Sequence, residues 1–381
     1  MASIISAGIG SGLDISGLVS QLVAAEGQPA QTRIARGEAA AQARLSAFGS
    51  LKSSLSQFRD QLEKMKELDS FLTRKGSSAN EDVFSVSVAS NAVPASYAVE
   101  VVQLAAAQKL TSGAFATADT VVGTGTLQID VGGSAFSIDL DAENNTLAGI
   151  RDAINSAPDN SGVQATIVNA AAGSYLILSG ENTGAANTIT VTQSGGDGGL
   201  AALEYDPGNG LNAMTESIAA QDAQIRIDGL DVTSSSNSIT GAIDGVTIDV
   251  VQASAGGTET LTVENDTADV RRTISAFVDS YNQLVSTFDK LSAFNADSNV
   301  AGPLLGDASL RSIRDQMRRE LSNAVGDSGA TFNSLREIGI EVQLDGKMNI
   351  VDEDLDAALA DKFSDVGQLF AADNGFATRL F

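Results

Sequence analysis

The sequence predicts an α+β multidomain fold, with a coiled-coil-like helical leg formed by both chain ends and all-β head domains inserted between them. Three observations predict it. Apolar residues recur at heptad spacing in two flanking segments and alternate with period 2 in between. Net charge changes in the same places, from +2 over residues 1–75 to −20 over 76–266 and −7 over 267–381. Finally, 37 Gly against 5 Pro point to many turns between short strands and not to a disordered linker.

The first helical stretch runs from about Asp14 to Leu72. Phe48, Leu51, Leu55, Phe58, Leu62 and Met65 follow one another at alternating steps of three and four, and Gly76-Ser77-Ser78 ends the run. Between Val83 and Val263 the runs Val83–Val88, Tyr97–Val102, Leu127–Val131, Phe136–Leu140, Tyr175–Leu178, Ile189–Val191, Ile225–Ile227 and Val246–Val250 read as strands. One short helix, Thr146 to Ile154, is expected among them, with Thr146 as its N-cap. The heptad returns from Asp269 in Val270, Ile274, Phe277, Tyr281, Leu284, Phe288 and Leu291. A second helix is expected over Leu310, Ile313, Met317 and Leu321. A hairpin near 338–351 should turn at Asp345-Gly346, with Ile340, Val342 and Leu344 on one side and Met348 and Ile350 on the other. A single last helix is expected from an Asp352 cap through Leu355, Leu359, Phe363, Val366 and Leu369. Burying one Leu or Phe is worth roughly 1.5–3 kcal/mol. Two stripes of six or seven such residues are therefore expected to zip together within one chain.

Absences restrict the chemistry. With no Cys, His or Trp, disulfides, thiol or imidazole catalysis and thiolate or imidazole metal sites are excluded. A Ser-Lys or two-carboxylate enzyme survives that filter, but a glycosidase would lack an aromatic sugar platform. Asp352, Asp354 and Asp356 lack the glycine of a calcium loop, and Gly196-Asp197-Gly198 does not recur as a repeat array. Gly8, Gly10 and Gly12 are followed by no Lys and preceded by no strand, so they read as a lead-in to the Asp14 cap and not as a phosphate loop. No catalytic, cofactor or metal site is expected. The acidic middle block repels phosphate backbones and anionic lipid, which disfavours nucleic acid, and no stretch approaches the roughly 20 apolar residues of a membrane span. Arg311, Arg314, Arg318 and Arg319 lie together on a predicted helix and are candidate assembly contacts. Met1 to Glu26 has neither the basic nor the apolar region of a signal peptide, a pattern that alone would read as cytoplasmic.

Several segments together resemble the flagellar filament cap family, also called flagellar hook-associated protein 2. They are SAGIGSGLDISGLVSQLVAAE (Ser6 to Glu26), LSAFGSLKSSLSQF (Leu45 to Phe58), SYAVEVVQLAAAQKLTSG (Ser96 to Gly113), the IDG-containing stretch Ala219 to Val250, FVDSYNQLVSTFDKL (Phe277 to Leu291) and GPLLGDASLRSIRDQMRREL (Gly302 to Leu321). The first carries Gly8, Gly10, Gly12, Leu13, Asp14, Leu18 and Leu22 as a family signature. The resemblance implies a division into an export and filament-core segment (1–43), a leg (44–76 with 268–381), a first head domain (77–111 with 215–267) and a second inserted in it (112–214). It implies a homo-oligomer of five or six subunits that caps the filament, meets flagellin and the filament end, and leaves through the flagellar export apparatus without a cleaved signal peptide. Readings that stay open are a tip adhesin binding host mucin or glycan through the acidic head, and a hook–filament junction protein. The family continues beyond Leu369-Phe370 into a long C-terminal helix. With this chain ending at Phe381, Leu13, Leu18 and Leu22 are expected to lack their partner and residues 1–43 to be loosely held.

Overall fold

A computed structural model of the chain describes residues 15–297, 299–325 and 330–381. It divides into two compact units, Met1–Thr73 with Asp266–Phe381 and Arg74–Asn265. Helix α1 (Ile15–Lys64) runs on past Pro29, with Leu18, Val19, Leu22 and Val23 exposed. Its buried face begins at Ala47 and continues through Leu51, Phe58, Leu62 and Met65, with Leu55 half-buried at the margin. Phe48, expected on this face, is 38% exposed. The cause is geometric: a seven-residue repeat drifts by about 20° per heptad on a straight helix of 3.6 residues per turn. Phe48 has therefore rotated off the face that Met65 occupies, and Ala47 takes its place. The helix also stops at Lys64, short of the expected Leu72.

The second unit is all antiparallel sheet apart from one helix and short single turns. Gly76-Ser77-Ser78, expected to end a helix, lies instead in strand β1 (Arg74–Ser78), which is followed by β2 (Phe84–Val88) and β3 (Ala95–Gln103). The chain then leaves through β4 (Lys109–Thr111), β5 (Gly125–Val131), β6 (Ser134–Leu140), α2 (Leu147–Ser156), β7 (Val163–Ala170) and β8 (Gly173–Gly180). It goes on through β9 (Ile189–Ser194), β10 (Tyr205–Asp206), β11 (Leu211–Asn212) and β12 (Thr215–Ile218). It returns in β13 (Ala223–Ile227), β14 (Leu230–Ser234), β15 (Ser238–Ile243), β16 (Val246–Val250) and β17 (Glu259–Asn265). Sheets β1-β17-β3-β13-β14 and β15-β16-β2 enclose one core around Phe84, Val99, Ile225, Ile248 and Leu261. Sheets β11-β10-β9-β5-β6 and β12-β4-β8-β7, with α2, enclose another around Leu110, Ile129, Ile150, Leu176 and Val191. Thr146 caps α2 as expected, its Oγ1 accepting the Gly149 N–H at 3.1 Å.

Two local features of this unit follow from chemistry that periodicity does not register. Edge strand β7 is closed by asparagines. Asn155 of α2 donates to the Ala165 carbonyl and accepts the Ala165 N–H, both at 2.8 Å. Asn160 does the same for Val163 at 2.8 and 2.9 Å. Each side-chain amide stands where the peptide of a further strand would bind. Elsewhere, the run 195–199 crosses the chain at Thr124 so closely that a Cβ on Gly196 would lie 1.7 Å from the Thr124 carbonyl oxygen. Asp197 secures the crossing, its Oδ1 accepting the N–H groups of Gly199 and Thr124, each at 3.0 Å. Those bonds, Gly199's first, hold its carboxyl below the usual aspartate range.

The chain returns to the first unit in α3 (Thr267–Ser292), capped by Asp266 through the Asp269 N–H. It is antiparallel to α1: Ser54 meets Thr287, Phe58 meets Tyr281, and Gln61 reaches the Thr273 carbonyl. A two-residue ladder, β18 (Phe294–Asn295) with β19 (Val300–Ala301), leads to α4 (Ala308–Ser322). The hairpin β20 (Ile340–Val342) and β21 (Met348–Ile350) turns over five residues, Gln343 to Lys347, closed by the Gln343 N–H to the Lys347 carbonyl at 2.7 Å. Leu344, expected within the strand, stands at the tip, fully exposed. The expected last helix is two, α5 (Asp352–Asp361) and α6 (Phe363–Ala371), followed by α7 (Phe376–Leu380). Lys362 leaves the helical region at φ −139, and this re-aims Phe363, Val366, Leu369 and Phe370 into the core. Asp352 is the first residue inside α5, not its cap; with Glu353 and Asp354 it complements the helix dipole.

Candidate functional site

The residues expected to carry assembly fall into three groups. The signature residues Gly8, Gly10, Gly12, Leu13 and Asp14 lie outside the described residues, while Leu18 and Leu22 stand exposed on α1. Val270, Ile274, Phe277, Tyr281, Leu284, Phe288 and Leu291 are all buried on one face of α3, facing Leu51, Phe58, Leu62 and Met65 of α1. Phe58 lies 5.9 Å from Phe277 and 6.0 Å from Tyr281, centroid to centroid. The four arginines share α4, but their surroundings differ. Arg314 pairs with Asp289 of α3 at 2.7 Å, whereas Arg311, Arg318 and Arg319 are exposed and have no carboxylate partner among the described residues.

Periodicity missed an aromatic cluster and three arginine clamps. Phe370 stacks on Phe71 at 5.4 Å and stands edge-on to Phe277 at 5.6 Å, with Phe376 beyond it. Gly367 permits this approach, since a Cβ there would lie 2.7 Å from the Cβ of Phe71. Arg379 bonds Glu320 at 3.0 Å and also the Glu320 carbonyl, tying α7 to α4. Arg271 bridges to Asp352 and Asp356, tying α3 to α5. Arg44 pairs with Asp307, the α4 cap. The Asp307 carboxyl lies below the usual range because of the Leu310 N–H, then the Ser309 N–H and Arg44.

The hairpin is held to α3 by two adjacent residues. Tyr281 donates its hydroxyl to the Gly346 carbonyl at 3.1 Å. Burial pushes its pKa up, with Arg318 and Arg314 opposing. Asn282 accepts the Met348 N–H at 2.7 Å and donates to the Met348 carbonyl at 2.9 Å. Replacing Asn282 by Ala leaves both Met348 groups unpaired, and a cost of roughly 2 kcal/mol is expected. Urea unfolding checks this: a midpoint equal to the parent's would show that the amide does not hold the hairpin.

Two flanking segments that meet in one helical core, with a β unit spliced between them, define a two-unit α+β protein built around packing surfaces. The flagellar hook-associated protein 2 N-terminus family model matches residues 11–108, and the corresponding C-terminus model matches 220–381. The B-type flagellar hook-associated protein 2 of Pseudomonas aeruginosa is 37% identical over 99% of this chain and 82% of that protein. The flagellar hook-associated protein 2 of Escherichia coli K12 is 36% identical over 98% and 81%. The crystal structure of the D1-D2-D3 domains of the Escherichia coli flagellar cap protein FliD matches with a TM-score of 0.76 at 35% identity, covering 88% of this chain and 94% of that one. The chain belongs to the flagellar hook-associated protein 2 family.

Proposed function

We infer that this chain is a structural capping subunit at the distal end of the bacterial flagellar filament, where it promotes flagellin polymerisation and prevents flagellin loss to the medium. Its similarity to relatives of that name over nearly its whole length carries this reading. Its site of action is then the filament tip, outside the cell. In finer terms, the leg comprises residues 44–76 with 268–381, the heads 77–111 with 215–267 and 112–214, and residues 1–43 form the export and filament-core segment. The buried α1–α3 seam makes the leg rigid enough to seat in a filament end. Arg311, Arg318 and Arg319, which have no carboxylate partner among the described residues, are contacts for flagellin or a neighbouring subunit. The subunit acts as a homo-oligomer of five or six copies, is exported through the flagellar channel without a cleaved signal peptide, and performs no catalysis. No feature of the described sheets favours a mucin-binding role over the cap.

Deleting the gene is expected to leave cells shedding unpolymerised flagellin, and supplying the chain in trans should restore filaments. Filaments of normal length in the deletion strain would reject the reading.

A further inference from the structure

The four-stranded sheet β12-β4-β8-β7 turns one face to the second core and the other to solvent. Register sets Val168 beside Tyr175 at one end of the outer face and Thr166, Ile177 and Thr111 in a row across its middle, with Lys109 at the other end. Val168 is 47% exposed; Tyr175 and Ile177 are half-covered by their cross-strand neighbours. Glu216 is the acidic residue of these four strands, and it pairs with Leu110 on the opposite face, accepting a bond from Gln108. These four strands therefore set no carboxylate on the outer face, in a unit where residues 74–265 hold 22 acidic and 5 basic side chains. The five-stranded sheet that shares this core, β11-β10-β9-β5-β6, differs: its outer face presents Asp130 and Asp139 among Thr126, Gln128 and Thr192.

We propose that the outer face of this sheet is a contact surface for a second copy of the chain. The proposal rests on the capping reading above and names one surface through which the subunits meet. Charge selects the face. Two units of net −17 repel wherever carboxylates approach within a Debye length of about 8 Å, so copies meet at least cost where carboxylates are absent. The chemistry of the face suits burial, because β-branched and aromatic side chains on a flat sheet pack well against another surface. Its size sets the strength. Four strands of 4, 3, 8 and 8 residues about 4.8 Å apart give roughly 400 Å², so two such faces bury roughly 800 Å². A standing dimer needs about 1,200 Å². The contact is therefore weak in a pair and holds when copies are already aligned in an array.

The test uses the full chain, whose lack of cysteine lets one introduced thiol carry a benzophenone label. Labels go on Thr166→Cys, on this face, and on Gln128→Cys, on the five-stranded sheet. Irradiation across a concentration series is expected to give at least tenfold more covalent dimer from position 166 than from 128. Ile177→Asp in the Thr166→Cys background is expected to cut that yield at least tenfold. If Ile177→Asp does not fold, Val168→Lys at an exposed position serves instead. Equal yields from both positions, no dimer from 166, indifference to the second substitution, or coupling from 166 to added flagellin alone overturns the proposal. Capping is scored separately, by the ability of each variant to retain flagellin in the deletion strain. A parent chain that fails there sinks the capping reading, whereas a variant that caps normally without cross-linking sinks only this surface.

Discussion

Replacing Phe277 with Ala is expected to destabilise the helical unit by roughly 3–5 kcal/mol, the usual cost of truncating a fully buried Phe in a packed core. Phe277 is 0% exposed and touches aromatic rings on both sides, Phe58 of α1 and Phe370 of α6. Its loss opens a cavity where α1, α3 and α6 meet, and each aromatic pair contributes beyond its buried area. The second unit has cores of its own that contain no residue of α3. Calorimetry is therefore expected to show one transition moving down sharply while the other keeps its temperature. A uniform shift of the whole profile would mean that the two units unfold as one.

Gly196→Ala should have an effect nearly as large, confined to the other unit. Gly196 has φ +69, and an added Cβ would collide with the Thr124 carbonyl oxygen at 1.7 Å. The left-handed backbone alone costs an alanine about 1–2 kcal/mol, and displacing the backbone at Thr124, just before β5, raises the total to roughly 3 kcal/mol. Its neighbour supplies the control. Gly195 has the same φ of +69 but open space where a Cβ would go, so Gly195→Ala should cost only the backbone penalty. Thermal unfolding of the two variants separates steric collision from conformational strain; equal losses would remove the collision from the account.

The fold class was legible because its signals are local and repeated. The stripe from Val270 to Leu291 reads directly as the buried face of α3, and Thr146 announces its helix through one side-chain bond. Signals failed where small or polar residues do the work. Strand β7 keeps its inner face with Val163, Ala165 and Ile167, and the alanine thins the alternation. Strand β17 buries only Leu261 and Val263. The cluster of Phe71, Phe277, Phe370 and Phe376 joins residues some 300 positions apart through short helices, so no window of sequence contains it. Phe48 failed for a different reason, since the periodicity was present but a straight helix does not keep a heptad in line.

Asn155 and Asn160 carry a consequence for how this molecule behaves when crowded. An intruding peptide that tried to extend the sheet at β7 would compete with rivals that are covalently leashed to their targets. Such a leash confers an effective concentration on the order of millimolar, well above that of a passing segment. Fibre growth by cross-β templating is thus disfavoured at Val163 and Ala165, and dense packing of many copies can proceed there without recruiting one another's backbones.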